Sequence, residues 1–404
     1  MRAGGHRGAA STPSSRPGSH RGGASTPSSQ PGRSVIESIL LPPKADLVDH
    51  ILVDGAARPR SVLTLSHWPN SPTPRSLWRD TSTQICLSWL ELAPSKKAPQ
   101  WGRLLEMVRE GQVAVALDHV DVDGVLAATL LALPELQSHH GLMAAASVVG
   151  DFRRVAAASL ALPAVAHAHP SEEDLSAARV AWGLAAAMAV PPFVLDVSAV
   201  ASLLEDLSQG KRPELWEPWQ GRYLASIESR ARGEVRIEEH PELDLAIVEL
   251  DAQIWPEGMA WHGPMGQHGS AGKGHLTLAW PCAGESRLAG RVSLGSLDPA
   301  AVHDVTDASI IIVVVGTEVE LRMRYESWVR YVTRDVPRRP ELFDLAGSLD
   351  AIEPAGAGWS WWWEGRAAPA PVLRRVRGPE GRERPHAPAW KVVEVMKERL
   401  ARRR

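Results

Sequence analysis

The sequence predicts an α/β protein: a parallel sheet with flanking helices, followed by a smaller β-rich α+β domain. Three observations lead there. Between residues 35 and 232, short β-branched runs alternate with helical stretches, the pattern of parallel strands joined by crossover helices. Near Arg232 the apolar period changes from mainly helical to mainly two-residue alternation. The stretch Val113–Leu131, VAVALDHVDVDGVLAATLL, runs from β-branched residues through His119-x-Asp121-x-Asp123-Gly124 into an unbroken apolar segment, as a strand, a turn and a helix would.

Taken in order, residues 1–34 repeat HRGAASTPSSRPG (6–18) as HRGGASTPSSQPG (20–32). Gly, Ser, Pro and Arg bury too little apolar surface to offset chain entropy, so a disordered tail is expected. In the α/β part, 35–232, Val62–Leu65 reads as a buried strand ending in Ser66-His67-Trp68-Pro69. Asp80-Thr81-Ser82-Thr83 offers caps for a helix through about Leu92. A short helix at Trp101–Glu110, the central strand and its helix, and a helix over 140–149 ending at Gly150-Asp151-Phe152 complete the alternation. Helical patterns then cover 171–188, 198–207 and 216–230. The second domain, 233–370, carries strands at 235–237, 243–250, 276–280, 310–315 and 318–325, with Val319, Leu321, Met323 and Tyr325 sharing one face. Residues 371–404 read as a Pro/Arg-rich linker and a terminal helix with Trp390, Val393, Met396 and Leu400 in an apolar stripe.

Composition excludes several classes of function. The chain of 404 residues has 44 Lys plus Arg against 47 Asp plus Glu, so net charge gives no signature of duplex DNA or anionic membrane binding. Cys86 and Cys282 are too few for a disulfide scaffold or a Cys-based zinc site. MRAGGHRGAA lacks the apolar core of a secretory signal, and the most apolar window, 182–195, is too short to span a bilayer. A cytoplasmic protein with no membrane association is the expectation.

The chemistry concentrates in His119, Asp121 and Asp123. In extended backbone, residues two apart share a face, so these three would converge while Asp118, Val120 and Val122 turn away. An imidazole and two carboxylates on one face are costly to desolvate without a cation between them. They are therefore candidate metal ligands, with oxygen-rich donors that favour manganese or magnesium over zinc. An EF-hand loop is excluded, because its twelfth position falls on Leu130. The competing assignment is a polar turn whose carboxylates cap the next helix.

Other motifs carry less. The Gly-rich run 262–275, HGPMGQHGSAGKGH, fails as a Walker loop and reads as a hairpin loop or lid. Arg322 and Arg324 lie on one strand face, where solvation competes with phosphate binding. The Trp359, Trp361, Trp362 and Trp363 cluster reads as core and edge packing, and His167 and His169 as incidental loop residues.

LDHVDVDGVLAA resembles the first motif of the DHH phosphoesterase superfamily, whose His-x-Asp-x-Asp-Gly side chains hold catalytic manganese or magnesium. The resemblance implies a DHH-like fold, with His119, Asp121 and Asp123 as metal ligands. More broadly, TLSHWPNSPTP (64–74), HVDVDG (119–124), GDF (150–152) and RYESWVRYV (324–332) resemble an uncharacterised bacterial family with LSHWP, HFDxDG, GDF and YESWV blocks. The Asp-His-His motif itself is missing: Ser138-His139-His140 is a poor substitute, and Gly266–Gly272 only faintly echoes the superfamily's substrate motif. Two-metal hydrolysis needs further ligands, for which Asp151, His67 and Asp80 are the candidates. The expectation is divalent-metal-dependent hydrolysis of a phosphoester or phosphoanhydride, with Asp151 and His67 as catalytic candidates and a small phosphorylated substrate or short nucleotide. A catalytically degenerate module that binds a nucleotide or protein partner is the alternative.

Overall fold

The computed structural model describes residues 39–95, 98–134, 136–156, 169–189, 195–251, 297–337, 339–354, 359–377 and 387–402. The expected tail, the 262–275 run, the strand at 276–280 and His167 lie outside these residues. Ser34–Arg404 group as one compact unit.

Three short apolar runs, β1 (His50–Val53), β2 (Ser61–Leu65) and β3 (Ala114–Leu117), pair in parallel in the order β2-β1-β3. Every residue of β1 is buried, as the middle strand of a sheet covered on both faces requires. The return from β1 to β2 is made by residues 54–60 alone, where a parallel crossover usually takes about a dozen residues or more. Asp54 (φ 49°) and Arg60 (φ 66°) turn the chain there in left-handed conformations.

Helices α1 (Ser82–Leu92) and α2 (Pro99–Arg109) precede β3, and α3 (Val122–Ala132) follows it. Thr81 caps α1 by accepting from the Gln84 amide. Every residue of α3 except Ala132 is buried. A helix apolar on all sides must be surrounded, and α1 and α4 (His140–Phe152) pack against it. Gly150 permits that packing. A Cβ there would lie 2.7 Å from the Val122 Cβ, so any larger residue pushes the last turn of α4, with Asp151 on it, off the start of α3. Three further helices, α5 (Glu172–Met188), α6 (Val197–Ser208) and α7 (Pro213–Ala231), complete the helical part, α5 opening on a Ser171/Asp174 capping box.

After α7 the chain runs through β4 (Val235–His240), β5 (Leu245–Leu250), α8 (Ala300–His303), β6 (Ile310–Val315) and β7 (Glu318–Met323). It ends with α9 (Phe343–Asp350), β8 (Trp359–Trp363), β9 (Val372–Arg377) and α10 (Ala389–Ala401). The sheet is mixed, in the order β4-β5-β6-β7-β9-β8, with β5 and β6 parallel and the other neighbours antiparallel. The alternation read in β7 is present: Val319, Leu321 and Met323 are buried. On α10 the inward stripe is Val392, Met396 and Leu400, residues four apart, and Trp390 is 67% exposed instead of joining it. Ala300, Ala301, Tyr325 and Val329 belong to the core of the helical part, so segments flanking the second sheet reach back to the first. No helix among the described residues is long and apolar enough to cross a membrane.

Candidate metal centre

Because β1, β2 and β3 are parallel, the residues that follow them emerge at one edge, where α/β sheets place their ligands. Asp54 leaves β1, His67 follows β2, and His119–Asp123 follow β3. The strand itself ends at Leu117, which corrects the expectation of extended backbone through Asp123. Asp121 takes the N-cap of α3, its Oδ1 accepting from the Gly124 amide at 2.8 Å, so helix begins at Val122 and alternation stops before the motif. Asp118 still points away, to Arg58 at 3.1 Å, but because the chain turns there.

The turn divides the motif between two groups. His119 Nε2 lies 2.9 Å from Asp121 Oδ2 and 3.6 Å from Asp54 Oδ2. Asp123, in the first turn of α3, faces the N-terminus of α1 and accepts from the Ser82 and Thr83 amides at 2.7 and 2.8 Å. Beside it, His67 Nε2 lies 3.4 Å from Asp54 Oδ1, 3.3 Å from Asp151 Oδ2 and 3.9 Å from Asp123 Oδ2. Two sets therefore have the spacing of metal ligands, Asp54/His119/Asp121 and Asp54/His67/Asp123, with potential ligand atoms within 4.8 Å of one another in each. The two oxygens of Asp54 face the two imidazoles, Oδ1 towards His67 and Oδ2 towards His119.

Asp54 is the member that the sequence reading missed. Its signal is short: the apolar run Ile51-Leu52-Val53 ends in Asp-Gly, the same ending as Asp123-Gly124. Gly55 is needed there, since a Cβ would fall 2.4 Å from the Asp118 Cβ. Of the other candidates, Asp151 joins the cluster from the last turn of α4. Asp80 does not act through its carboxylate, which corrects its standing as a possible ligand. That carboxylate accepts from the Val332 amide (2.6 Å), the Thr333 amide (3.1 Å) and the Thr333 hydroxyl (2.6 Å). Its backbone carbonyl instead meets His67 Nδ1, which leaves Nε2 for the carboxylates. Ser138-His139-His140 lies at the far end of α4 from Asp151, and His139 pairs with Glu205 at 3.0 Å. Arg322 and Arg324, read as a possible phosphate clamp on a strand face, pair with Glu320 and Glu326.

An aromatic wall stands over the cluster. Trp68 is 5.3 Å from the His119 ring and 5.1 Å from Trp328, and the Tyr325 hydroxyl is 3.5 Å from His67 Nε2. The LSHWP, HVDVDG, GDF and YESWV blocks thus meet at one place in the fold. A family model described as a family of unknown function, DUF6687, matches residues 41–392. The chain belongs to this family. No curated protein and no solved structure is matched.

The electrostatics of the DUF6687 site follow from four buried carboxylates facing two imidazoles. Burial alone would raise the Asp54 carboxyl, but the hydrogen bond from His67, the charges of both histidines and the Ser82 hydroxyl bring it down to about 2. Asp123 carries the opposite outcome: burial and the Asp54 charge raise it to about 7, despite the nearby His67. Asp151 is pushed well above the carboxylate range, by burial first and then by Asp123, Asp121, Asp54 and Glu326, and its Oδ2 is buried with no hydrogen-bond partner. Burial opposes a charged His119, yet Asp121 and Asp54 outweigh it and raise the ring to about 10. Without a cation, the DUF6687 chain keeps these carboxylates together with protons, imidazoles and helix amides.

Proposed function

We propose that the cluster binds divalent metal and that the protein is a metal-dependent hydrolase of a phosphoester or phosphoanhydride. The observation that carries this reading is Asp54, whose two oxygens face two separate His/Asp groups. His119, Asp121 and Asp54 would hold one ion, and His67, Asp123 and Asp54 the other, with Asp151 beside it. The donor set fits such ions: oxygen dominates, one imidazole stands on each side, and Asp151 Oδ2 accepts no hydrogen bond. An imidazole on each side favours manganese over magnesium. Such ions lower the pKa of bound water and neutralise charge on phosphoryl oxygens.

The chain's own groups prepare the site. The Ser82 and Thr83 amides fix Asp123, the Asp80 carbonyl orients His67, and Trp68, Trp328 and Tyr325 restrict water. The likeness of 119–124 to the first DHH motif supports the same chemistry. The missing Asp-His-His motif would have its counterpart in Asp54, His67 and Asp151. A small phosphorylated molecule or short nucleotide is the proposed substrate. A non-hydrolytic module that binds a nucleotide or a protein is favoured by one fact: His119, at 9%, is the most exposed member of the cluster. Metal analysis of the purified protein, with turnover of a generic phosphodiester and of pyrophosphate in manganese and in chelator, tests both. Metal-dependent turnover supports hydrolysis, bound metal without turnover favours the module, and failure to bind any divalent ion refutes the metal centre.

A further inference from the structure

We propose that Arg154, Arg324 and Arg334 form an anion subsite for a phosphoryl group next to the metal cluster. The three come from different parts of the chain and converge on the turn after α8. Arg154 follows Arg153, the left-handed residue (φ 52°) that ends α4. Its Nη2 is 2.6 Å from Asp307 Oδ1, and its Nε donates to the His303 carbonyl at 3.3 Å. Arg324, just after β7, donates from Nη1 to the Thr306 carbonyl at 2.7 Å and pairs with Glu326. Arg334 donates from Nη1 to the Asp307 carbonyl at 2.9 Å, with Nε 3.7 Å from Asp307 Oδ1.

These contacts leave donors over. Arg324 Nε, Arg334 Nε and Arg334 Nη2 are buried and have no hydrogen-bond partner. The three guanidiniums meet at Asp307 and Glu326, and Arg154 and Arg324 do so where little water reaches. The alternative is an internal brace for the 303–307 turn. A brace accounts for the carbonyl contacts but not for the surplus of donors, and buried guanidinium N–H groups left unmatched are costly. A phosphoryl oxyanion supplies several strong acceptors and a compensating charge, and planar guanidiniums suit it. Glu326 Oε2, also buried without a partner, can meet a protonated phosphoryl oxygen. Access is from the Arg334 side: the Arg334 and Asp307 side chains are 19% and 34% exposed, whereas those of Arg154 and Arg324 are at 6% and 1%.

The subsite adjoins the metal cluster without being part of it. Glu326 follows Tyr325, whose hydroxyl meets His67, and His303 Nδ1 lies 3.0 Å from the carbonyl of Phe152, the neighbour of Asp151. A substrate with two phosphoryl groups would place one at each position. That role rests on the hydrolase reading, whereas the anion site itself does not.

The test titrates inorganic phosphate into the full chain in chelator, at fixed ionic strength, by calorimetry and melting curves. Saturable binding of one phosphate with a rise in melting temperature is expected. Arg334→Gln, at the rim and therefore foldable, should weaken it about tenfold, the loss of one charge-assisted contact. Arg402→Gln, an exposed pair with Glu398, should leave it unchanged. Absence of saturable binding in wild type, or equal affinity in Arg334→Gln, overturns the subsite. Phosphate binding only after manganese is added also overturns it, by assigning the anion to the ions, and leaves the metal reading intact. Phosphate binding in chelator by a wild-type chain that, in separate metal analysis, takes up no divalent ion supports the subsite and refutes the hydrolase.

Discussion

Asp54→Asn is the substitution that asks most of the site. The side chain faces His67 and Ser82 with one oxygen and His119 with the other, so removing its charge should weaken both ions at once. Asn is the right replacement, since at φ 49° it is among the few residues that tolerate left-handed backbone, and its Oδ1 still accepts from Ser82 at the Asp54 position. One ion at a hundredfold excess over its dissociation constant adds about 2.7 kcal/mol, so two add roughly 5 kcal/mol. For a folded unit of this length about 1–2 °C accompanies each kcal/mol, which makes the wild-type response to chelator on the order of 5–10 °C. Asp54→Asn should lose nearly all of that response. Asp121→Asn and Asp123→Asn, each confined to one group, should lose about half. Manganese calorimetry gives the stoichiometry, and melting curves with and without chelator compare each variant with itself. If Asp54→Asn kept one ion at wild-type affinity while Asp121→Asn or Asp123→Asn lost both, Asp54 would not be the shared ligand.

Four further outcomes follow from the same geometry. Metal must displace protons from His119, raised to about 10, and from Asp123, raised to about 7, so affinity should climb with pH from 6 to 8, by about tenfold per unit or more. Calorimetry in buffers of different ionisation enthalpy counts the protons released, and an affinity independent of pH would contradict the assignment. In the metal-free chain the raised His119 contributes stability that is complete below about 6.5 and lost as pH rises towards about 10, which melting curves in chelator should follow. Asp118→Asn should leave metal binding intact and cost about 0–1 kcal/mol, since its partner Arg58 is partly exposed. Gly150→Ala should cost about 1–3 kcal/mol and weaken the His67 ion more than the His119 ion, because the added Cβ displaces Asp151. Equal weakening of both ions would count against that route.

How much of this was legible in the sequence varies with the kind of signal. Helices with caps and strands with clear alternation could be read: Thr81 before α1, the residues after β2 and β3, and the inward face of β7. His119, Asp121 and Asp123 stood out because they lie within five consecutive residues. Strand β1 did not, because three apolar residues between polar ones are too few to show a period, and its short return to β2 is not a common crossover. Asp54 was lost with it. Asp80 looked like a ligand because it precedes a helix near the site, but its carboxylate is held by Val332 and Thr333, some 250 residues later, which no local pattern reveals. The extended reading of 117–123 failed for a related reason. Alternation was carried through residues whose own side chain, Asp121, starts a helix.

That last failure also removes the opposition between a capping turn and a metal turn. Asp121 caps α3 with Oδ1 and faces His119 with Oδ2, so the two roles use different atoms of one carboxylate. Asp123 uses both oxygens on the α1 amides, yet each carboxylate oxygen has a second lone pair, and Oδ2 still lies 3.9 Å from His67 Nε2. The helix amides hold the carboxylates in place before any cation arrives, so little reorganisation is needed for binding. The same amides and imidazoles offset much of the repulsion among Asp54, Asp121, Asp123 and Asp151, which lets a buried acidic cluster survive without a cation. Capping would therefore be how the fold prepares the proposed ligands, and a test for metal must count ions, because loss of a cap and loss of a ligand would both lower stability.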